Sequence, residues 1–278
     1  MQPVDVFAGN SPVILGVPHA GTYVPDEIFM RLNDTGKALA DTDWHVDRLY
    51  RDLLPGATMV CANFHRYVID ANRDPAGASL YPGQNTTGLC PTTDFDGLPI
   101  YLEGQAPDPA EIEERRIAWH AVYHAALAAE IERVKAIHGV AILYDCHSIR
   151  SHIPFLFEGK LPDFNIGTNG GTTCAPQIEA AVLARTKAAE GYDSILNGRF
   201  KGGWTTRHYG KPEANVHAIQ MELAQCTHLA TEALPFDYSE ERSARLRPHL
   251  GLILSDLADL AGALNSTDKK TTRGDHHG

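Results

Sequence analysis

A single α/β domain, with a mixed and mostly parallel sheet covered by helices on both faces, is the fold class that the sequence predicts. Three observations carry it. Short apolar runs alternate with longer amphipathic stretches along the 278 residues. Several of those runs are apolar at successive positions, as inner strands covered on both sides require. No internal repeat and no linker interrupts the pattern, so one domain is expected over 1–264, followed by a polar, charged tail at 265–278.

Taken in order, candidate strands are Val13–Val17, Thr58–Cys61, Tyr67–Asp70, Val140–Asp145, Pro154–Phe157 and His217–Leu223. A helix is predicted from Pro109 to His138. Asp108 caps it, Pro109 suits its first position, Glu111 completes a capping box and Gly139 stops it. Ile112, Trp119, Tyr123, Leu127, Ile131 and Val134 keep helical spacing inside it. Shorter helices fit Asp43–Leu54, Ala175–Glu190 and Ser239–Leu264, where Pro248 marks a kink or a late start. Residues 74–107, rich in Gly, Pro, Thr and Asp, read as an irregular excursion over one face. Loops of that length tend to be lids or specificity elements.

Composition narrows the function. Lys and Arg number 24 against 35 Asp and Glu, a net charge of −11. So acidic a surface repels phosphate backbones, which excludes general nucleic-acid binding and binding to anionic membranes. An anionic small substrate stays possible if arginines meet it locally. Five cysteines, odd in number and never spaced C-x-x-C, argue against a disulfide framework and against a cysteine-only metal site. With no signal-like N-terminal segment and no apolar run of about 20 residues, the cytoplasm is the expected compartment.

The chemistry-bearing residues lie at strand ends. His19 follows Val13–Val17, His147 follows Val140–Leu143, and Glu222 lies inside the last apolar strand. Ligands of α/β sheets gather at the carboxyl ends of strands, so these three can meet. Asp43 opens a helix in Asp41-Thr-Asp-Trp-His-Val-Asp47, where it reads either as an N-cap or as a ligand. Two imidazoles, one carboxylate and an open position make the donor set of catalytic zinc, and Glu222 is then free as a general base. A lone histidine after a strand is ordinarily a loop or core residue, so Glu222 is the more telling. A carboxylate in an apolar strand is costly unless a cation or hydrogen bonds compensate. Asp145, two residues from His147 on the same strand face, can orient that imidazole. Arg73, Arg150 and Arg207 stand in candidate loops near these residues and suit carboxylates. The glycines of Lys201–Gly210 allow close approach to a ligand.

Six segments in order carry a resemblance to a known family. They are Pro18-His-Ala-Gly21, Asp41–Tyr50, Val68–Asp74, Asp145-Cys-His-Ser148, Gly198–Gly210 and Gln220-Met-Glu-Leu223. Together the sequence resembles the N-formylglutamate deformylases, the amidohydrolases of histidine degradation. The resemblance implies a zinc-carboxypeptidase-like fold and one zinc per chain, held by His19, Asp43 and His147. Asp43 is preferred to Asp41 or Asp47 because it aligns with an aspartate of the relatives. It further implies Glu222 as the catalytic glutamate and a small dianionic substrate, N-formyl-L-glutamate, hydrolysed to formate and glutamate. Asn72, Arg73, Arg150 and Arg207 are then the substrate-binding candidates, with Arg73 also placed to steady an oxyanion. Two other readings compete: a related zinc amidase or exopeptidase for another small N-acylated acidic amino acid, and a catalytically dead binder of anionic amino acids. Glu222 argues against the binder, which gains nothing from an anion beside its ligand.

Overall fold

The computed structural model describes residues 1–79 and 83–271, with side chains as far as Leu264. Seven strands form one sheet in the order β1-β3-β2-β4-β7-β5-β6. They are β1 Val4–Phe7, β2 Val13–Val17, β3 Thr58–Ala62, β4 Ala141–Ile149, β5 Phe164–Gly167, β6 Ser194–Leu196 and β7 Val216–Ala224. The four central strands β3, β2, β4 and β7 are mutually parallel, while β1 and β5 join antiparallel at either side. This is the mixed, mostly parallel sheet expected. In β7, Val216 and Ala218 pack on one face while Ile219, Met221 and Leu223 pack on the other. That alternation, with both sides buried, is why the strand is apolar nearly throughout.

One face is covered by the helix that opens at Pro109. It runs as α4 Pro109–Arg115, one π-helical turn over Arg116–His120, and α5 Ala121–His138, with Tyr123, Leu127, Ile131 and Val134 buried. The Asp108 side chain accepts from Glu111 N at 2.9 Å. The other half of the capping box is not made, because the Glu111 carboxylate turns to Arg31 and Arg115. Gly139 ends the helix at φ 75°. The opposite face is covered by α6 Pro176–Lys187 and by the last helix, Glu240–Thr271, in which Pro248 sits internally. Of the tail expected over 265–278, residues 265–271 continue the last helix past Leu264, and 272–278 lie outside the described residues. No helix among the described residues is long and apolar enough to cross a membrane.

Four expectations change. Tyr67–Asp70 is fully buried but is a turn, since Val68 N bonds to His65 O and Arg115 donates to the carbonyls of Tyr67 and Val68. A guanidinium satisfies the backbone that a neighbouring strand would have satisfied. Pro154–Phe157 is also a turn, closed by Phe157 N on Ile153 O. The helix expected over Asp43–Leu54 shrinks to Val46–Tyr50, because His45 and Asp52 take positive φ. The short strands β1, β5 and β6 have no strong apolar signal, and the sequence reading missed them.

Two histidines are buried as neutral rings. His228 has Nε2 3.1 Å from Trp44 O, and burial lowers its pKa to about 4. His124 has Nε2 2.7 Å from Ala71 O, and burial lowers it to about 3. The unfolded chain, with histidines near 6.5, binds more protons than the folded one below that pH, so stability rises with pH there. The contribution of each is complete above about pH 6.5 and is lost as pH falls toward 4, worth roughly 3 kcal/mol at most for His228. Urea midpoints measured with chelator should therefore drop steeply over that window. His228→Gln should flatten the slope, and an unchanged slope would count against a neutral buried His228.

Candidate active site

The parallel strands bring the chemistry to their carboxyl ends. His19 lies just past β2, and its carbonyl accepts from Asp43 N at 3.0 Å, which ties the loop after β2 to the segment before Val46. His147 lies within β4, one strand from Glu222 in register on β7. The sequence had placed it just after the strand, but β4 runs on to Ile149.

Asp43, His19 and His147 meet, with one donor atom of each within 4.8 Å of the others. Asp43 Oδ2 is 3.1 Å from His147 Nδ1 and 3.8 Å from His19 Nδ1, and it accepts from Ser148 N at 3.1 Å. Its carboxylate makes no helix-capping bond. Each imidazole presents Nδ1 inward and has a carboxylate behind it at Nε2. Asp70 Oδ1 is 2.7 Å from His19 Nε2, and Asp145 Oδ1 is 3.1 Å from His147 Nε2. For His19 that arrangement leaves the Nδ1 lone pair toward the centre, as in carboxylate–histidine–metal sites. His19 already shows it: its Nδ1 accepts from Arg66. The donor set therefore fits a divalent cation such as zinc. Asp41 does not belong to it, because Asp41 Oδ2 accepts from Tyr67 Oη at 2.8 Å and Phe95 N at 2.9 Å. Asp47 pairs with Arg51 at 3.6 Å on the surface.

Charge at the centre is tightly balanced. Burial lowers the His19 pKa to about 4, helped by the positive charge of Arg66. Burial also pulls on His147, but Asp145 and Asp43 outweigh it and hold its pKa well above the usual value. A proton on His147 thus answers the same need of Asp43 that a metal cation would. Glu222 is 7 % exposed, and burial, with Asp43 and Asp145 nearby, raises its pKa to about 8. Its Oε2 accepts from Gln220 Nε2 at 3.1 Å, so one oxygen is fixed while the residue lines the pocket. A carboxyl group with a raised pKa can carry a proton at neutral pH, which a general acid–base needs.

The pocket above the centre takes Asn72 and Arg73 but not the other expected arginines. Arg73 Nε and Nη2 bond Thr87 O and Oγ1, both at 3.0 Å, and Nη1 is 3.5 Å from Asp70 Oδ2. Asn72 Oδ1 accepts from Thr205 N at 2.9 Å, and its Nδ2 is 3.1 Å from His147 Nε2. Arg150 is elsewhere, 2.9 Å from Asp96 and 3.6 Å from Asp41, bracing the 74–107 excursion. Arg207 stands on a helix, Trp204–Tyr209, with Nε on Gly202 O at 2.8 Å, and is not among the pocket residues. Gly203 lines the pocket, and a Cβ there would lie 2.1 Å from Asn72 Nδ2, so the glycine also lets the backbone approach Asn72. Asn85, Thr86, Thr87 and Phe95 of the excursion do line the pocket, consistent with a specificity element.

The sequence reading missed Arg66, Asp70, Gln220 and Arg199. Arg66 was discoverable: it abuts an apolar run, Tyr67-Val-Ile69, and a buried arginine needs carboxylate partners. Here they are Asp43 Oδ1 at 3.2 Å and Asp70 Oδ2 at 3.9 Å. Arg199, from the same Gly198–Gly210 segment as Arg207, is the arginine that reaches the pocket.

Comparison with known proteins gives matches over most of the chain. Residues 11–229 match the family model of N-formylglutamate amidohydrolase. An N-formylglutamate deformylase of Pseudomonas aeruginosa is 47% identical over 254 residues, covering 90% of this chain and 93% of its own. One of Pseudomonas putida is 45% identical over 236 residues, covering 84% and 87%. The crystal structure of an N-formylglutamate amidohydrolase from Ralstonia eutropha superposes with a TM-score of 0.77 at 26% identity, covering 94% of this chain and 98% of that one.

If Asp70 orients His19 toward a cation, Asp70→Asn should weaken divalent-metal affinity about 10- to 100-fold in chelator competition. Asp41→Asn should leave it within a few-fold. Equal affinities in wild type and Asp70→Asn would remove His19 from the donor set as drawn.

Proposed function

The chain belongs to the N-formylglutamate amidohydrolase family, and on that premise we propose that it hydrolyses N-formyl-L-glutamate to formate and L-glutamate, as a zinc enzyme of histidine degradation in the cytoplasm. One observation carries the reading above all: Glu222 stands in register beside His147, in a pocket whose wall holds Arg66 and Arg73. An acid–base group, a cation-binding triad and guanidiniums in one cleft suit amide hydrolysis of an anionic substrate.

His19, Asp43 and His147 would hold the zinc ion, which when bound polarises the formyl oxygen and lowers the pKa of water to about 7. The chain's own residues do the rest. Glu222 accepts a proton from the attacking water as its oxygen bonds to the formyl carbon. It then returns that proton to the substrate nitrogen as the C–N bond breaks, so formate and glutamate leave. Arg66 Nη2 rests on His19 Nδ1 and Asp43 Oδ1; it would yield those donors to zinc and then be the adjacent cation for the oxygen that gains negative charge. Gln220 holds Glu222 in place through Oε2 while its own Oε1 accepts from Gly203 N at 2.6 Å. Arg73 meets the α-carboxylate from the pocket wall.

The test is formate release from N-formyl-L-glutamate by purified protein, before and after chelation and with zinc returned, against N-acetyl-L-glutamate as a control acyl group. Activity should vanish with chelator and come back with zinc. Glu222→Gln should lower kcat about 10²- to 10⁴-fold with zinc content near that of wild type. A variant that keeps its kcat, or wild type that releases no formate, would overturn the reading.

A further inference from the structure

Three guanidiniums line the pocket, and the structure orders them by their distance from the triad in bonded steps. Arg66 touches His19 and Asp43 directly. Arg73 touches Asp70, which backs His19. Arg199 is held by loop carbonyls: Nε donates to Leu156 O at 3.0 Å and Nη2 to Asn85 O at 2.9 Å. Asn85 Nδ2 in turn donates to Phe155 O at 2.8 Å. Two loops far apart in sequence are thus joined around one side chain. These two bonds fix the orientation of the guanidinium. Leu156, Phe200 and Phe95 give the same pocket an apolar part of its wall, with Phe95 4.8 Å from the Arg66 guanidinium and Phe200 5.4 Å from that of Arg199.

We propose that Arg199 is the residue that recognises the side-chain carboxylate of the substrate. This rests on the reading of the substrate as N-formyl-L-glutamate. Along that molecule the order is formyl oxygen, α-carboxylate, two methylenes and side-chain carboxylate. The pocket offers Arg66 on the triad, Arg73 on Asp70 behind it, apolar side chains, and Arg199 on the loops of Asn85 and Leu156. A planar fork held by the two loops can take a carboxylate by charge-assisted hydrogen bonds. The sequence pointed to Arg207 for this part, but Arg207 lies on its helix outside the pocket.

The experiment compares kcat/KM for N-formyl-L-glutamate and N-formyl-L-glutamine in wild type, Arg199→Gln and Arg199→Lys. Gln can still donate to the Leu156 and Asn85 carbonyls but carries no charge. It should narrow the preference for the glutamate substrate about 10- to 100-fold, the range of a lost hydrogen bond to a charged group. Lys, which keeps the charge, should keep most of the preference. If Gln keeps the wild-type preference, or if Gln and Lys narrow it equally, Arg199 merely ties the loops and the proposal falls. Should a variant prove too slow to assay, calorimetric binding of L-glutamate against L-glutamine reads the same ratio. A failure of the substrate reading itself is distinguishable, because wild type would then release no formate from N-formyl-L-glutamate.

Discussion

Asp43 is held between two imidazoles that are themselves backed by carboxylates, and most of the molecule's interior polarity follows from that contact. A buried carboxylate is tolerable only when charge and hydrogen bonds surround it. Asp43 has His147 at 3.1 Å, Arg66 at 3.2 Å and Ser148 N at 3.1 Å. Each partner then needs a partner of its own. His147 takes Asp145, whose Oδ2 accepts from Thr206 Oγ1 at 2.9 Å. His19 takes Asp70, whose Oδ1 also accepts from Asn72 N at 2.8 Å. The network spreads until it reaches residues of β4, the Trp204–Tyr209 helix and the turn after Tyr67. Removing one member leaves others buried without a counter-charge, so the centre is cooperative.

The sheet makes that network possible because it supplies rigid positions from both sides. β4 and β7 pair in parallel over nine residues, and the register places His147 opposite Glu222. Hydrogen-bonded strands hold side chains more closely than loops do, and a carboxylate one residue out of register would face the wrong layer. The helix side contributes through the π-helical turn at Arg116–His120. At its end His120 reaches Arg73 O at 3.1 Å, and beyond it His124 reaches Ala71 O at 2.7 Å. Two histidines from one helix therefore hold the backbone on either side of Asn72. π turns recur near functional sites because they displace a side chain that a regular helix would aim elsewhere.

The parts of this site that were legible in the sequence share a cause. Glu222, His147 and Asp145 are polar residues inside apolar strands, where the cost of burial makes a purely incidental presence expensive. His19 and Asp43 were readable from their places at a strand end and a helix start. The sheet's central strands were readable on the same physical ground as Glu222: a short run that is apolar at every position must be covered on both faces. What stayed hidden depends on reach and on tertiary partners. An arginine side chain spans several ångströms, so Arg150 and Arg207 could be near the right segments and still point to Asp96 and Gly202. Tyr67–Asp70 is as apolar as a strand, yet Arg115, far along the chain, takes its carbonyls. Gly203 lines the pocket, as a glycine-rich loop suggests, but its second part, admitting the Asn72 side chain, depends on a tertiary partner.

The net charge of −11 and a pocket lined by Arg66, Arg73 and Arg199 are reconciled by range. Exposed charges are screened beyond about 10 Å at ordinary ionic strength, so the acidic surface acts on the encounter and little on the bound state. The pocket arginines act at contact distance and in a less polar setting, where each charge counts for more. Arg66 and Arg73 are set against Asp43 and Asp70, which cancels much of their field outside the cleft. The chain thus combines an acidic exterior with a pocket lined by guanidiniums, and the two act at different ranges, so neither charge pattern undoes the other.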